Sequence, residues 1–306
     1  MRVLFVSSAN RKGEINPVVH NQGQSLLREG IDLHFFGVSG KGISGYLGNL
    51  RSIRKKIREF RPDIVHAHYF LSGALVTLAG AKPLVVSLMG SDVHGSRWQR
   101  FFSSLLARYF WDVCIVKTDR MRKVLGTGSS IVIPNGVNME LFRPVERAEA
   151  CRKTGWDSSL LNVLFPSDPL RPEKNFVLAE RAVTLTGEAG IRLRILKDVP
   201  GDRVVDYLNA SDSVLLTSMW EGSPNIIKEA MACNIPIVST DVGDVREIVG
   251  DTTGCFITGN DAGEISSALL EAIKCKPTEG RKHIEHLDSR TVAARLINIY
   301  VGLIRS

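Results

Sequence analysis

Short apolar runs alternate with amphipathic segments along this chain of 306 residues. In the first half, helical periodicity predicts helices over residues 18–28, 47–60 and 98–110. The apolar runs between them contain few polar positions, which is typical of strands whose two faces are both buried. Such an alternation predicts a parallel sheet covered by helices on both sides. The predicted strands are residues 3–6, 33–36, 64–67, 84–88, 113–116 and 131–133.

A second alternation of the same kind occupies the other half of the chain. There a loop at 197–201 leads directly to a predicted helix at 202–209, and a last predicted helix at 289–304 has no strand after it. Between the halves, residues 133–144 are rich in Pro, Gly and Asn, as expected of a connection between domains. The predicted fold class is therefore α/β, with two doubly wound parallel sheets. The strands predicted for the second sheet are residues 161–165, 193–196, 214–217, 236–239 and 255–257.

The composition is that of an ordinary globular protein, with 44% hydrophobic and 23% charged residues. No apolar run reaches the ~18 residues that a membrane-spanning helix needs. Since the first residues also lack the pattern of a signal peptide, we expect a cytoplasmic protein. The five cysteines include no CxxC pair, which favours reduced thiols over disulfides or a zinc site. The net charge of +7 favours an acidic partner: anionic lipid, nucleotide or nucleic acid.

The stretch from residue 218 to residue 249 contains the strongest local signal for a functional site. After a short strand, the turn at 221–224 leads into a helix. Pro224 suits the first helical position, and Ser223 can cap the helix. We expect the helix to end at Cys233, with Asn234 in the left-handed conformation that stops it.

Such a helix start attracts an anion, because its first N–H groups are unpaired and carry partial positive charge. Glu221 precedes the helix and Glu229 lies inside it, so each carboxylate would flank one end of a docked phosphate ligand. Carboxylates repel phosphate, and their expected partners are sugar and ribose hydroxyls. An isolated pair of glutamates at this spacing is most often only solvated. The surrounding residues favour the binding hypothesis here.

The string EGSPNIIKEAMACNIPIVSTDVGDVREIV, which begins at Glu221, resembles the E-x7-E signature of glycosyltransferase family 4, in the GT-B superfamily. That family typically reads E-G-F-P-N-x-x-x-E-A-M-A-C-G-x-P-V-V-x-T-x-x-G-G. In this chain Ser223 replaces the usual aromatic residue, Asn234 the usual glycine, and Asp244 the last glycine of the signature.

The resemblance implies a GT-B fold, in which two Rossmann-like domains face each other across a cleft. The corresponding domains would be an acceptor-binding domain over 1–143 and a nucleotide-sugar-binding domain over 144–285. The helix over 286–306 would cross back to the first domain. The second domain is short, since one βα unit and a glycine turn of the family are missing. The resemblance also implies a retaining, metal-independent transferase with no cofactor, for which the nucleotide sugar is a substrate.

By the same resemblance, each residue of the signature has an implied role. Glu229 would hold the ribose hydroxyls of the donor, and Glu221 would contact the transferred sugar. The turn over the sugar and the β-phosphate would be formed by Gly222, Ser223, Pro224 and Asn225.

Two further loops resemble phosphate-binding loops of the family. Lys174 aligns with a lysine that neutralises the donor diphosphate, while Pro169 occupies the position of the accompanying arginine. Arg171 could substitute for that arginine. In the loop after the first strand, Gly13 is a candidate for donor binding and Lys12 a weaker one.

Polar residues also follow two strands of the first half, where ligands of open α/β sheets bind. His68 ends one strand and Asp92 follows the next, so we expect both to contact acceptor or donor sugar. For His66 we expect a structural role. The family often has a histidine where this chain has Met89, which weakens any histidine-assisted step.

The segments 51–61 and 97–111 combine basic residues with apolar or aromatic ones. They are compatible with an ordinary solvated helix face, or with binding to the inner surface of an anionic membrane.

We predict a peripheral enzyme that transfers a sugar to a glycan or lipid-linked acceptor in the synthesis of a cell-surface polysaccharide or glycolipid. The alternative is a catalytically weak sugar-nucleotide-binding or assembly subunit. A nucleic-acid partner is not expected, because no recognition-helix, zinc or RNP-like motif is present.

Overall fold

The computed structural model describes residues 1–9, 13–95 and 97–305 of the chain. The chain divides into two compact units. Unit 1 consists of Met1–Gly136 together with the C-terminal helix that begins at Ser289, and unit 2 consists of Val137–Asp288. Each unit is built around one parallel sheet, which confirms the predicted α/β class.

The sheet of unit 1 is formed by strands β1 (Arg2–Ser8), β2 (Asp32–Val38), β3 (Ile64–His68), β4 (Leu84–Ser87), β5 (Val113–Val116) and β6 (Ile131–Val132). They run in the order β2-β1-β3-β4-β5-β6, with every neighbouring pair parallel. All residues of β3 and β4 are buried, because helices cover both faces at the centre of the sheet.

The helices of the first 136 residues are α1 (Pro17–Arg28), α2 (Gly42–Leu47), α3 (Leu50–Phe60), α4 (Phe70–Ala79), α5 (Ser91–His94), α6 (Arg97–Tyr109) and α7 (Asp119–Leu125). The prediction of one helix from residue 47 is wrong in its first turn, since α2 ends at Leu47 and α3 begins at Leu50. The side-chain amide of Asn49 donates hydrogen bonds to the carbonyl oxygens of Ser39 and Gly45, at 2.7 and 2.8 Å. These bonds turn the chain between the two helices.

In unit 2 the strands are β7 (Leu161–Phe165), β8 (Ile191–Ile195), β9 (Ser213–Leu216), β10 (Ile237–Thr240) and β11 (Cys255–Thr258). They are parallel and ordered β11-β10-β9-β7-β8. The helices are α8 (Arg147–Thr154), α9 (Phe176–Leu185), α10 (Val204–Ala210), α11 (Asn225–Ala232), α12 (Val245–Val249), α13 (Ala262–Lys274) and α14 (Gly280–His283). Short 3-10 helices cover Pro172–Lys174 and Glu285–Leu287. Asn234 has a φ of +57°, which confirms its predicted left-handed conformation.

The last helix, α15 (Ser289–Arg305), is part of unit 1. Its residues Leu296 and Tyr300 are fully buried in the same apolar cluster as Val3 and Phe5 of β1. No helix in the described part of the chain is both long and apolar enough to cross a membrane.

Candidate functional site

Two loops of unit 2 meet at the carboxyl ends of neighbouring strands. Since β9 lies beside β7, the segment after β9 passes next to the segment after β7. The hydroxyl of Thr217 lies 3.0 Å from the carbonyl oxygens of both Lys174 and Asn175. The N–H of Met219 donates a hydrogen bond to the carbonyl oxygen of Glu173 at 2.9 Å. These bonds hold the two loops together.

The two loops bring Lys174 and Glu221 into an ion pair. The hydroxyl of Ser218 donates a second hydrogen bond to the same carboxylate oxygen of Glu221, at 2.8 Å. The side chains of Lys174 and Glu221 are only 13% and 15% exposed, so salt and water screen this pair weakly. The sequence predicts separate ligand contacts for the two residues, and the structure adds that they form an ion pair with each other.

The helix start differs from its prediction by one residue. Helix α11 begins at Asn225, and Pro224 is the residue before it, with a ψ of 115°. The prediction of Pro224 as the first helical residue, capped by Ser223, is therefore wrong. The Ser223 hydroxyl makes its hydrogen bonds with two side chains instead. That hydroxyl accepts a hydrogen bond from Lys228 Nζ and donates one to Asp244 Oδ2, each at 2.6 Å. Pro224, the residue before α11, makes no capping hydrogen bond with its side chain, and the helix dipole favours negative charge at this end of α11.

Glu229 lies in the second turn of α11 and is half-buried. Desolvation of its carboxyl raises the pKa of Glu229 to about 7, although the positive charge of Lys228 opposes this effect. In the described part of the chain, nothing donates a hydrogen bond to its carboxyl oxygens. Glu229 is thus a partly accessible acceptor in a site of low polarity.

The remaining candidates of the phosphate-binding loops lie in different surroundings. Arg171 is 54% exposed, and its guanidinium pairs with Glu173, with 2.8 Å between Nε and Oε1. Its contact with the donor diphosphate stays a prediction. Gly13 belongs to unit 1, where it is exposed in a turn with a φ of +76°. Lys12 lies outside the described residues.

In unit 1, His68 and Asp92 are both buried. The ring of His68 packs against the rings of His66 and Phe5, with centroid distances of 4.4 and 4.6 Å. Desolvation lowers the pKa of His68, which keeps the ring neutral. The carboxylate of Asp92 accepts hydrogen bonds from the N–H groups of Phe70 and Met89, at 3.1 and 2.9 Å. Their contact with a sugar stays a prediction.

His66 has the structural role expected of it. Its ring nitrogens lie 2.5 Å from the Tyr300 hydroxyl and 2.8 Å from the Ser87 hydroxyl. The bonds connect β3 with α15 and β4. Among the described residues, no group of His, Cys, Asp and Glu has an arrangement that could hold a metal ion.

Three residues of the site escaped the sequence reasoning: Ser218, Lys228 and Asp244. Lys228 could have been found, because it stands in a helix with apolar neighbours at 227, 230 and 231 and must therefore lie near the buried face. The sequence marks Asp244 only as a departure from the family pattern. Its contact with Ser223, a second departure, depends on the fold of two distant loops.

Comparison with known proteins gives two family matches. Residues 9–141 match the model of Glycosyltransferase Family 4, and residues 172–275 match that of Glycosyl transferases group 1. Among curated proteins, the chain is 28% identical over 248 residues to TuaC of Bacillus subtilis, which is named for teichuronic acid biosynthesis. That alignment covers 71% of this chain and 62% of TuaC. A D-inositol 3-phosphate glycosyltransferase of Mycolicibacterium gilvum is 26% identical over 273 residues, with 73% and 62% covered. The chain thus spans less than two thirds of the length of these relatives.

Solved structures are similar over the whole chain. Sucrose-phosphate synthase from Thermosynechococcus elongatus superposes with a TM-score of 0.84 at 14% identity, covering 100% of this chain and 99% of that one. Anabaena HepE, solved in complex with UDP and glucose, gives a TM-score of 0.75 at 16% identity, covering 99% and 100%. At these identities the similarity establishes the fold, which is GT-B.

Proposed function

Because this chain belongs to glycosyltransferase family 4 and has the GT-B fold, we propose that it transfers a sugar from a nucleotide-sugar donor to a glycan or lipid-linked acceptor. Unit 2 binds the donor and unit 1 the acceptor. The reaction retains the anomeric configuration and needs no metal. The observation that carries the proposal is the half-buried Glu229 carboxylate, which accepts no hydrogen bond from the described residues and lies in the second turn of α11.

Glu229 suits the ribose of the donor. Two neighbouring ribose hydroxyls are hydrogen-bond donors, and a carboxylate in a poorly solvated position binds them more strongly than it would in water. The diphosphate of the same nucleotide then lies toward the start of α11, where the helix dipole favours negative charge.

Lys174 suits the diphosphate. An ammonium group has three donors, so Lys174 can keep its bond to Glu221 and still bind a phosphate oxygen. At a separation of ~4 Å and an effective dielectric constant of ~20, the attraction between this ammonium and a phosphate charge is roughly 4 kcal/mol, and repulsion by the Glu221 carboxylate offsets part of it. It acts where negative charge develops as the sugar leaves the diphosphate. Glu221, held by Lys174 and Ser218, contacts the transferred sugar.

The names of related proteins support the substrate classes. TuaC is named for teichuronic acid biosynthesis, and LpsB of Rhizobium meliloti is a lipopolysaccharide core mannosyltransferase that is 24% identical over 229 residues. HepE has been solved with UDP-glucose. These names support a nucleotide-sugar donor and an acceptor that belongs to a cell-surface polysaccharide or glycolipid.

We also propose that α6 attaches the enzyme to an anionic membrane surface. This helix turns its small residues Ser103 and Ala107 inward and its aromatic residues outward, with Phe101 and Tyr109 64% and 65% exposed. It contains arginines but no acidic residue, which complements an anionic surface. The remaining exposed apolar residues of α6 are Trp98, Phe102 and Leu105.

Sedimentation with vesicles tests the membrane proposal. Wild type should bind phosphatidylglycerol vesicles and not phosphatidylcholine vesicles, and a variant with Phe101→Ser and Tyr109→Ser should lose that binding. Val177→Ser, which removes an exposed apolar side chain from unit 2, is the control. Equal binding of the α6 variant and the control would contradict the proposal.

Turnover of a donor panel tests the transferase proposal. The chain is incubated with UDP-, GDP- and ADP-sugars and a set of glycan and lipid-linked acceptors, while released nucleotide and glycosylated product are measured. We expect one nucleotide class to be consumed by wild type and not by Glu229→Ala. Binding of a donor without transfer or hydrolysis would favour a sugar-nucleotide-binding subunit instead.

A further inference from the structure

Lys228 is a lysine with no exposed surface, on the helix that carries Glu229. Burying an ammonium group is unfavourable unless other groups compensate for the lost water. Its Nζ donates to the Ser223 hydroxyl at 2.6 Å, and Ser223 donates to Asp244 Oδ2 at 2.6 Å. A continuous chain of hydrogen bonds therefore runs from α11 through the turn to the loop after β10.

Asp244 is the acidic end of this chain and is only 4% exposed. Its second oxygen, Oδ1, is buried and accepts no hydrogen bond from the described residues. Burial raises the pKa of Asp244, and the positive charge of Lys228 and the Ser223 hydroxyl oppose that rise. Burial likewise lowers the pKa of Lys228, while Asp244 and Glu229 oppose that effect. The two charged groups thus stabilise each other through Ser223.

The backbone of the two loops is also in close contact. Gly243 has a φ of +60°, and a Cβ at this position would collide with the carbonyl group of Gly222. The turn at 221–224 therefore rests on the loop at 241–244, with Ser223 as its polar connection. On its other side the turn is held through Glu221 by Lys174 and Ser218.

We propose that Ser223, Lys228 and Asp244 form a positioning network that holds the turn at 221–224 in the geometry that binds the sugar and β-phosphate of the donor. This inference rests on the proposed function. Glu229, the residue proposed to hold the ribose, takes no part in the hydrogen bonds of this network. Loss of the network should therefore affect the sugar and β-phosphate end of the donor and spare the nucleoside end. A displacement of about 1 Å at a reacting group can lower a rate ~100-fold.

The test compares Ser223→Ala, Ser223→Thr and Asp244→Asn with wild type. Two quantities are measured: kcat/KM for the nucleotide sugar that wild type consumes fastest, and the Kd of the matching nucleoside monophosphate, which lacks both sugar and β-phosphate. Ser223→Ala and Asp244→Asn should lower kcat/KM about tenfold or more, because each removes a hydrogen bond to a charged group or the charge itself. The Kd of the monophosphate should stay within about twofold of wild type, and Ser223→Thr, which keeps the hydroxyl, should restore most of the activity.

Ser211→Ala is the matched control. Ser211 is buried, its hydroxyl donates to the carbonyl oxygen of Tyr207 at 2.7 Å, and it lies at the opposite end of β9 from the site. This variant should leave kcat/KM unchanged. The inference is overturned if Ser223→Ala keeps wild-type kcat/KM, or if it weakens the monophosphate as much as the nucleotide sugar, which would indicate a general distortion of α11. A wild type that consumes no nucleotide sugar would instead overturn the proposed function, and the inference with it.

Discussion

Replacing Glu229 by glutamine should make the protein more stable and less able to bind its donor. The ordinary pKa of a glutamate is 4.5, and burial raises that of Glu229 to about 7. At 1.36 kcal/mol for each factor of ten, this difference corresponds to about 3 kcal/mol, which is an upper bound for a half-buried group. Glutamine has nearly the same shape and no charge to desolvate.

The effect on stability depends on pH in a defined direction. Below pH 4.5 the carboxyl is protonated in the folded and the unfolded chain, so it causes no penalty. Between pH 4.5 and 7 the unfolded chain loses the proton while the folded chain keeps it, and the free energy of unfolding decreases as the pH rises. Above pH 7 the full penalty is present. Glu229→Gln should therefore be more stable than wild type by about 1–3 kcal/mol at pH 8 and equally stable at pH 4.

The affinity for the donor should increase as the pH rises, whereas the free energy of unfolding decreases. If only the carboxylate accepts the ribose hydroxyls, a pKa near 7 leaves about one tenth of the sites competent at pH 6, so the Kd should be roughly tenfold higher there than at pH 8. Glu229→Gln should bind weakly at every pH. Titration calorimetry with the nucleotide sugar is the assay, because its diphosphate is doubly esterified and does not titrate near pH 7.

Urea unfolding at pH 4 and pH 8 completes the experiment. Glu271→Gln is the control, since this glutamate of α13 is 61% exposed and should give wild-type stability and binding. The reasoning is refuted if Glu229→Gln has wild-type stability at pH 8, or if donor affinity of wild type is the same at pH 6 and pH 8.

Three further changes have expected outcomes. Lys174→Met should raise the Kd of the nucleotide sugar ~10- to 100-fold in titration calorimetry, whereas Lys197→Met, which removes an exposed lysine of the same unit, should not. Tyr300→Phe removes the hydroxyl next to His66, so the free energy of unfolding should decrease by about 1 kcal/mol in urea, with donor affinity unchanged. Gly243→Ala adds a Cβ at a positive φ and against Gly222, so it should lower both stability, by more than ~1 kcal/mol, and kcat/KM. Wild-type behaviour of Lys174→Met or Tyr300→Phe would contradict the role assigned to the contact that is removed. Wild-type behaviour of Gly243→Ala would contradict the expected collision with Gly222.

The fold could be predicted from the sequence because its signals are local. Largely apolar runs such as 64–67 and 84–88 specify buried parallel strands, and strands Ile64–His68 and Leu84–Ser87 form there in the structure. The left-handed Asn234 is likewise a local property of a helix end. The error at Pro224 arose because proline is tolerated both at the first helical position and just before it, and the choice depends on where Ser223 finds its partners.

The pairing of charges could not be predicted in the same way. Lys174 and Glu221 are 47 residues apart, and they meet only because β9 lies next to β7 in the sheet. The contact of Ser223 with Asp244 similarly requires β10 beside β9. Sequence patterns identify Lys174, Glu221 and Glu229 as residues of the site, whereas strand order decides which residues of the site touch.

The central claim is that the donor nucleotide binds in unit 2 along α11. A crystal structure of the protein with the nucleoside diphosphate released in the panel would test it most directly. We predict the ribose hydroxyls within about 2.6–3.2 Å of the Glu229 carboxylate and a phosphate oxygen against Lys174 Nζ. A nucleotide bound away from Glu229, or with its phosphates remote from Lys174 and the start of α11, would contradict the account.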